Sequence, residues 1–149
     1  MKTKKISWNE LEKGCKFLAK ELSDFRPFTI IAISRGGCVV ATILSHLLKC
    51  EMAVVSAKSY AHYNQDTYKS NCRIAFLRRF RRHERILLVD DCIDNSLTMR
   101  KTLRWLHSKL KYNIIRSATL YNKNKKRAVN FYYKKINKDV WLKFPYEVK

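Results

Sequence analysis

The chain has 149 residues, 46% of them hydrophobic, which is enough for one folded domain with a real core and excludes intrinsic disorder. Its 32 Lys and Arg against 12 Asp and Glu give a net charge of +20, which favours polyanionic partners: nucleic acid, anionic lipid or phosphorylated substrates. No apolar run reaches the roughly 18 residues needed to span a bilayer; the basic start Met1-Lys-Thr-Lys-Lys5 is followed by no apolar segment, so no signal peptide is expected.

Ser7-Trp-Asn-Glu10 has the spacing of a capping box. Trp8, Leu11, Cys15, Leu18 and Leu22 then alternate steps of three and four, which predicts an amphipathic helix ending at Asp24 to Pro27. Phe28-Thr-Ile-Ile-Ala-Ile33 is a continuous β-branched run, predicted as a strand buried on both faces. Ser34-Arg-Gly-Gly37 is predicted as a turn, followed by a helix over Val39 to Leu48.

Met52 to Ala57 is a second predicted strand. Residues 58–72 are polar and aromatic without a clear period, and are expected to form a long loop of the kind that usually serves function. Arg73 to Leu77 is a candidate strand, followed by the basic connector Arg78-Arg-Phe-Arg-Arg-His-Glu-Arg85. Ile86 to Val89 is another buried strand. Leu97 to Leu110 is a helix carrying Met99, Leu103, Leu106 and Leu110 on one face. Asn113 to Tyr121 and Val129 to Tyr133 are further strand candidates, separated by basic Lys123 to Arg127. Buried strands alternating with helices predict an α/β fold with a mostly parallel central sheet in one domain spanning residues 1–149. The five scattered cysteines form no CxxC pair, as expected for thiols kept reduced in a cytoplasm.

Ligands of such sheets bind beyond the carboxyl ends of the strands. Two predicted strand ends are unusual here. Ser34-Arg35-Gly36-Gly37 holds two of the chain's three glycines, which permit positive φ and close approach of backbone N–H groups to an anion. An ordinary strand–helix turn with a solvated arginine is the alternative. Asp90-Asp91-Cys92-Ile93-Asp94 places three carboxylates within five residues of a chain that has only 12 acids. Clustered carboxylates repel and need hydroxyl donors, cations or a shared proton. Asn95 to Thr98 follow at a helix N-terminus, where a phosphate binds well. Helix-capping acids are the alternative at this end.

The stretch Leu87-Leu-Val-Asp-Asp-Cys-Ile-Asp-Asn-Ser-Leu-Thr98 resembles the PRPP-binding motif of the type I phosphoribosyltransferases. In length and in other segments the chain is similar to the bacterial xanthine-guanine and archaeal 6-oxopurine enzymes. Ile33-Ser-Arg-Gly-Gly37 resembles their pyrophosphate loop. Ser59-Tyr60, with Asn64-Gln65 nearby, resembles the start of their mobile catalytic loop. Ala118-Thr-Leu-Tyr-Asn-Lys123 resembles the strand that ends in a purine-contacting lysine. Asp139-Val-Trp-Leu-Lys-Phe-Pro-Tyr-Glu147 resembles the terminal purine-binding segment, often Trp-Ile-x-x-Pro-Trp, within a small C-terminal hood from about residue 123.

This resemblance implies transfer of a phosphoribosyl group from PRPP to a 6-oxopurine, with Mg²⁺ as cofactor. Asp90 and Asp91 would engage the ribose hydroxyls, directly or through Mg²⁺ held by Asp91 and, as an option, Asp90. Asp94 would be the general base or acid near purine N7. Asn95, Ser96, Leu97 and Thr98 would hold the 5′-phosphate, and Ser34 to Gly37 the pyrophosphate, with a non-proline cis peptide before Arg35. Lys123 would donate to the purine O6, Trp141 would stack on the base, and the Leu142 backbone would read its edge. Homodimers or homotetramers are typical of the related enzymes. One departure is clear: Ser96 stands where the family motif has glycine, and serine resists positive φ. If the loop needs that shape, phosphate affinity falls. The charge supports a competing expectation, a non-catalytic regulator of the same fold that binds RNA or a nucleotide, and a weaker one, peripheral contact with an anionic membrane in the cytoplasm.

Overall fold

A computed structural model describes residues 1–56, 73–75, 79–124 and 128–148. Strand β1 (Lys2–Lys5) precedes helix α1 (Trp8–Glu21), strand β2 (Thr29–Ser34), helix α2 (Gly36–Leu48) and strand β3 (Glu51–Ser56). Then come β4 (Arg73–Ala75), β5 (Arg85–Ile93), α3 (Leu97–Lys109), β6 (Ile114–Asn122), β7 (Phe131–Lys135) and β8 (Val140–Lys143). The main sheet has six strands in the order β4-β3-β2-β5-β6-β7. Every neighbouring pair is parallel except β3 with β4. The chain is therefore α/β with a mostly parallel sheet, as its alternating apolar runs predict.

Alternation within the strands explains why they read as unbroken apolar runs. Ile30 and Ala32 of β2, with Leu87 and Val89 of β5, pack with Leu11, Cys15 and Leu18 of α1 and Val40, Ala41 and Leu44 of α2. Ile31 and Ile33, with Ile86 and Leu88, pack on the other side with Met99 and Leu106 of α3. Both faces are covered, so neither strand has a polar side to show.

Helix α1 starts where the capping box places it, the Glu10 N–H donating to Ser7 Oγ at 3.1 Å. Leu11, Cys15 and Leu18 are buried as expected, whereas Trp8 is 56% exposed. Trp8 is the first helical residue, and its ring lies 6.4 Å from that of Tyr146. Two strands lie outside the elements that periodicity predicts. Lys2–Lys5 and Val140–Lys143 form a separate parallel pair in which Thr3 faces Trp141 and Lys4 faces Leu142. Glu10 secures this pair to the core, accepting from Lys4 Nζ at 3.0 Å and from the buried Tyr121 hydroxyl at 3.1 Å. The Val129 to Tyr133 candidate forms a strand two residues later, Phe131–Lys135, which extends the main sheet. The cysteines among the described residues, Cys15, Cys38, Cys50 and Cys92, are all free thiols.

From β2 the chain moves outward to β3 on one side, while β5 leads to β6 and β7 on the other. The strand order thus reverses between β2 and β5. A crevice opens outside the carboxyl ends of adjacent strands at such a point, and that is where ligands bind in open α/β sheets.

Candidate active site

Ser34 closes β2, and Asp90 to Ile93 close β5, so the two segments singled out in the sequence lie side by side at the switch point. Their local structure differs from the expectation in two ways. Strand β5 runs on through Ile93 and pairs with β6 as far as Asn122, so Asp90 and Asp91 are strand residues and only Asp94 to Ser96 form the turn. Helix α2 begins at Gly36, so both glycines belong to its first turn and neither has positive φ.

The glycines are needed for space instead. A Cβ on Gly36 would lie 1.9 Å from Asp91 Oδ2, and one on Gly37 would lie 2.6 Å from the Val89 carbonyl oxygen. The first turn of α2 thus rests directly on the end of β5. The peptide between Ser34 and Arg35 is cis, and the Arg35 side chain is exposed.

The paired carboxylates are well anchored. Asp90 Oδ1 accepts from the Asp91 N–H at 2.9 Å, and Asp91 Oδ1 accepts from the Cys92 N–H at 2.6 Å. The Tyr146 hydroxyl donates to Asp91 Oδ2. Burial, and then the neighbouring Asp91 charge, push the Asp90 carboxyl well above the usual range; the Asp91 N–H works in the opposite direction. Burial also pushes the Cys92 thiol up to about 12, even though Lys123 lies near enough to favour its thiolate. Asp94 is exposed at the start of the turn.

The turn into α3 takes up the conformation that makes serine costly. Ser96 has φ 62 and ψ 1, the left-handed region. Its hydroxyl accepts from Asn124 Nδ2 at 3.1 Å, and the Leu97 N–H donates to Asn95 Oδ1 at 3.0 Å. The position that carries glycine in the resembled motif therefore does require positive φ.

The residues that the resemblance assigns to the base also converge. Lys123 follows β6 and hangs its backbone N–H on the Ile93 carbonyl at 2.8 Å, which ties it to the end of β5. Its ammonium lies 5.7 Å from the centre of the Trp141 ring, which is 52% exposed. Leu142 is buried beside it, opposite Lys4. Ser59, Tyr60, Asn64 and Gln65, with the loop 58–72, lie outside the described residues, as do Arg78 and residues 125–127 of the basic clusters. The described part of the first cluster, Arg79 to Arg85, sits at the amino end of β5, the opposite end from the carboxylates.

A profile of the phosphoribosyl transferase domain matches residues 7–149. The chain belongs to the phosphoribosyl transferase domain family. Its relatives include the xanthine-guanine phosphoribosyltransferase of Idiomarina loihiensis, 30% identical over 147 residues that cover 96% of this chain and 86% of the relative. The enzyme of the same description from Desulfotalea psychrophila is 30% identical over 151 residues, covering 99% of this chain and 88% of the relative. The fold is that of a purine phosphoribosyltransferase from Pyrococcus horikoshii, with a TM-score of 0.81, 24% identity, and coverage of 100% of this chain and 97% of that one. The protein is an enzyme, a phosphoribosyltransferase of the type I fold.

Tyr146 is the site residue that residue-by-residue reading of the sequence overlooked. Its signal was present in the tail, where Pro145-Tyr146 stands in place of the Pro-Trp of the resembled segment. No described helix is long and apolar enough to cross a membrane.

Proposed function

We propose that the enzyme serves purine salvage in the cytoplasm, transferring the 5-phosphoribosyl group from PRPP to a 6-oxopurine, namely hypoxanthine, guanine or xanthine, with release of pyrophosphate. The observation that carries this reading is the packing of Gly36 on Asp91 at the β2–β5 switch point. It brings an anion-binding helix start and a pair of carboxylates within reach of one small ligand. PRPP has that combination of groups: a pyrophosphate, two ribose hydroxyls and a 5′-phosphate.

Asp90 and Asp91 accept from the ribose hydroxyls, and the Ser34 to Gly37 segment holds the pyrophosphate with Arg35 adding charge. Asn95, Ser96, Leu97 and Thr98 form the 5′-phosphate cradle. For the phosphate to use the Leu97 N–H, the Asn95 side chain must release it. Lys123 donates to O6 of the base, Trp141 stacks on its face, and the Leu142 backbone meets its edge. By the family resemblance, Ser59 and Tyr60 would belong to the catalytic segment that shields the leaving group from water and limits hydrolysis.

Mg²⁺ suits this donor set. Among the described residues no group of three or more His, Cys, Asp or Glu is arranged to hold a metal ion by itself, so no all-protein cage is present among them. Mg²⁺ characteristically binds one or two carboxylates and completes its shell with water and substrate phosphates. Asp91, with Asp90 beside it, would hold it, and it would neutralise charge on the departing pyrophosphate. Departure leaves an oxocarbenium-like centre at ribose C1 that purine N9 attacks. Asp94, exposed beside the cradle, takes or returns the proton at N7.

Incubation with PRPP, Mg²⁺ and each of the three bases tests the reading by detection of nucleoside monophosphate and pyrophosphate. Nucleotide from at least one base is expected. Its absence with all three, in protein shown to be folded, would sink the proposal and favour the non-catalytic nucleotide- or RNA-binding alternative.

A further inference from the structure

The carboxylate of Asp91 is held from three sides. Oδ1 accepts from the Cys92 N–H at 2.6 Å, Oδ2 fills the space that a Gly36 Cβ would need, and the Tyr146 hydroxyl donates to the same Oδ2. Two of these contacts come from its own strand and from the turn beside it. The third arrives from the far end of the chain, 55 residues away in sequence.

Tyr146 is itself fixed. Its ring stacks on Phe144, with centroids 5.3 Å apart and planes at 12°. Phe144 is buried against Tyr121 at 5.9 Å, and the Trp8 ring is tilted against Tyr146 with centroids 6.4 Å apart. The hydroxyl is therefore delivered to Asp91 by packed aromatic rings, with little rotameric freedom left to lose. A partly buried aspartate has more than one staggered rotamer open to it. A fixed donor on Oδ2 selects one of them. Each carboxylate oxygen offers about two lone-pair directions. One on each Asp91 oxygen is taken, which leaves the remaining pair aimed in a fixed direction.

We propose that Tyr146 is a positioning residue, whose hydroxyl holds the Asp91 carboxylate in the orientation that receives Mg²⁺-bound PRPP. The role rests on the transferase reading above. It is a property of this chain's tail, since a tryptophan at the same place has no hydroxyl to offer. It also links the purine-binding tail, which carries Trp141, to the ribose-binding carboxylate.

The test uses Tyr146→Phe, Asp91→Asn and the double variant, with binding of PRPP in Mg²⁺ measured by titration calorimetry without purine, and steady-state kinetics alongside. A hydrogen bond to a charged group supports a loss of about ten-fold or more in PRPP affinity for Tyr146→Phe. The same factor is expected in the KM for PRPP, with the purine KM and kcat within about two-fold and the unfolding temperature close to wild type. In the Asp91→Asn background the further loss from Tyr146→Phe should largely disappear, which a merely structural role would not produce. Unchanged PRPP affinity overturns the proposal. So does tighter PRPP binding, which would make the hydroxyl a competitor of the substrate, and so does an equal rise in both KM values, which would mean general loosening of the tail. Wild-type protein that binds no PRPP and makes no nucleotide removes the transferase reading; an active wild type with an indifferent Tyr146→Phe removes only the positioning role.

Discussion

The Asn124 side-chain amide donates to the Ser96 hydroxyl at 3.1 Å, joining the turn after β6 to the turn that leads into α3. Ser96 holds a left-handed backbone there, at a cost of about 1 kcal/mol for a residue with a Cβ. The hydroxyl bond offsets part of that cost.

Replacing Ser96 therefore separates two effects. Ser96→Ala keeps the backbone cost and loses the bond, and is expected to destabilise the protein by about 1 kcal/mol. Ser96→Gly loses the bond but relieves the backbone, so it should be less destabilising than alanine by about 0.5–1 kcal/mol. Urea unfolding of both variants measures the order. Alanine equal to or better than glycine would contradict the left-handed assignment.

The two glycines of the α2 start should respond differently to alanine. At Gly36 the new methyl meets only the end of the Asp91 side chain, so the fold should survive while that carboxylate is displaced and the KM for PRPP rises at least ten-fold. At Gly37 it meets the Val89 backbone at 2.6 Å, which cannot move aside, and a loss of about 1–3 kcal/mol of stability is expected. Comparison of melting temperature with KM in the two variants decides whether the close contacts are placed as described.

Asp90 gives a pH signature. Burial, followed by the Asp91 charge, holds its carboxyl above the unfolded value of about 3.9, so the native state binds the proton more tightly. Over the window from that value up to the raised native one, the folded protein carries more protons, and its stability falls as pH rises. In protein free of Mg²⁺ and PRPP, Asp90→Asn is expected to raise the melting temperature at pH 7. The gain should shrink towards pH 4, and PRPP turnover should be lost. A variant no more stable than wild type at pH 7 would show that burial does not strain this carboxylate.

Lys123 and Trp141 meet at 5.7 Å from cation to ring centre. Lys123→Met removes the donor for O6, and Trp141→Leu removes the stacking surface. Each is expected to raise the purine KM about ten-fold, the scale of one charged hydrogen bond or one stacked ring, and to leave PRPP affinity within about two-fold. Loss of PRPP binding in either variant would place these residues at the wrong end of the substrate.

Much of this molecule was legible in its residues. The apolar runs of β2 and β5 announce strands covered on both faces, because a parallel strand between two layers has no polar side. The capping box at Ser7 and the stripe through Leu11, Cys15 and Leu18 depend only on neighbours within a few residues, and they came out where expected. The gathering of acids at the end of β5 could also be read directly, since Asp90, Asp91 and Asp94 lie within five residues of a basic chain and follow a buried apolar run.

What the sequence could not supply depended on residues far apart along the chain. Lys2–Lys5 becomes a strand only by pairing with Val140–Lys143, and nothing in four lysine-rich residues predicts that. The glycines at 36 and 37 looked like sources of positive φ, yet they serve close approach to Asp91 and Val89, whose positions only the packed sheet defines. The positive φ belongs instead to Ser96, where side-chain chemistry argues against it and the turn between β5 and α3 imposes it. Tyr146 reads locally as one more aromatic near the end of the chain. Its hydroxyl reaches Asp91 because the stacked rings of Phe144 and Tyr146 carry it there. Local periodicity and composition determine which segments form strands and helices and where the charged chemistry gathers; only the folded sheet decides which distant groups complete the site.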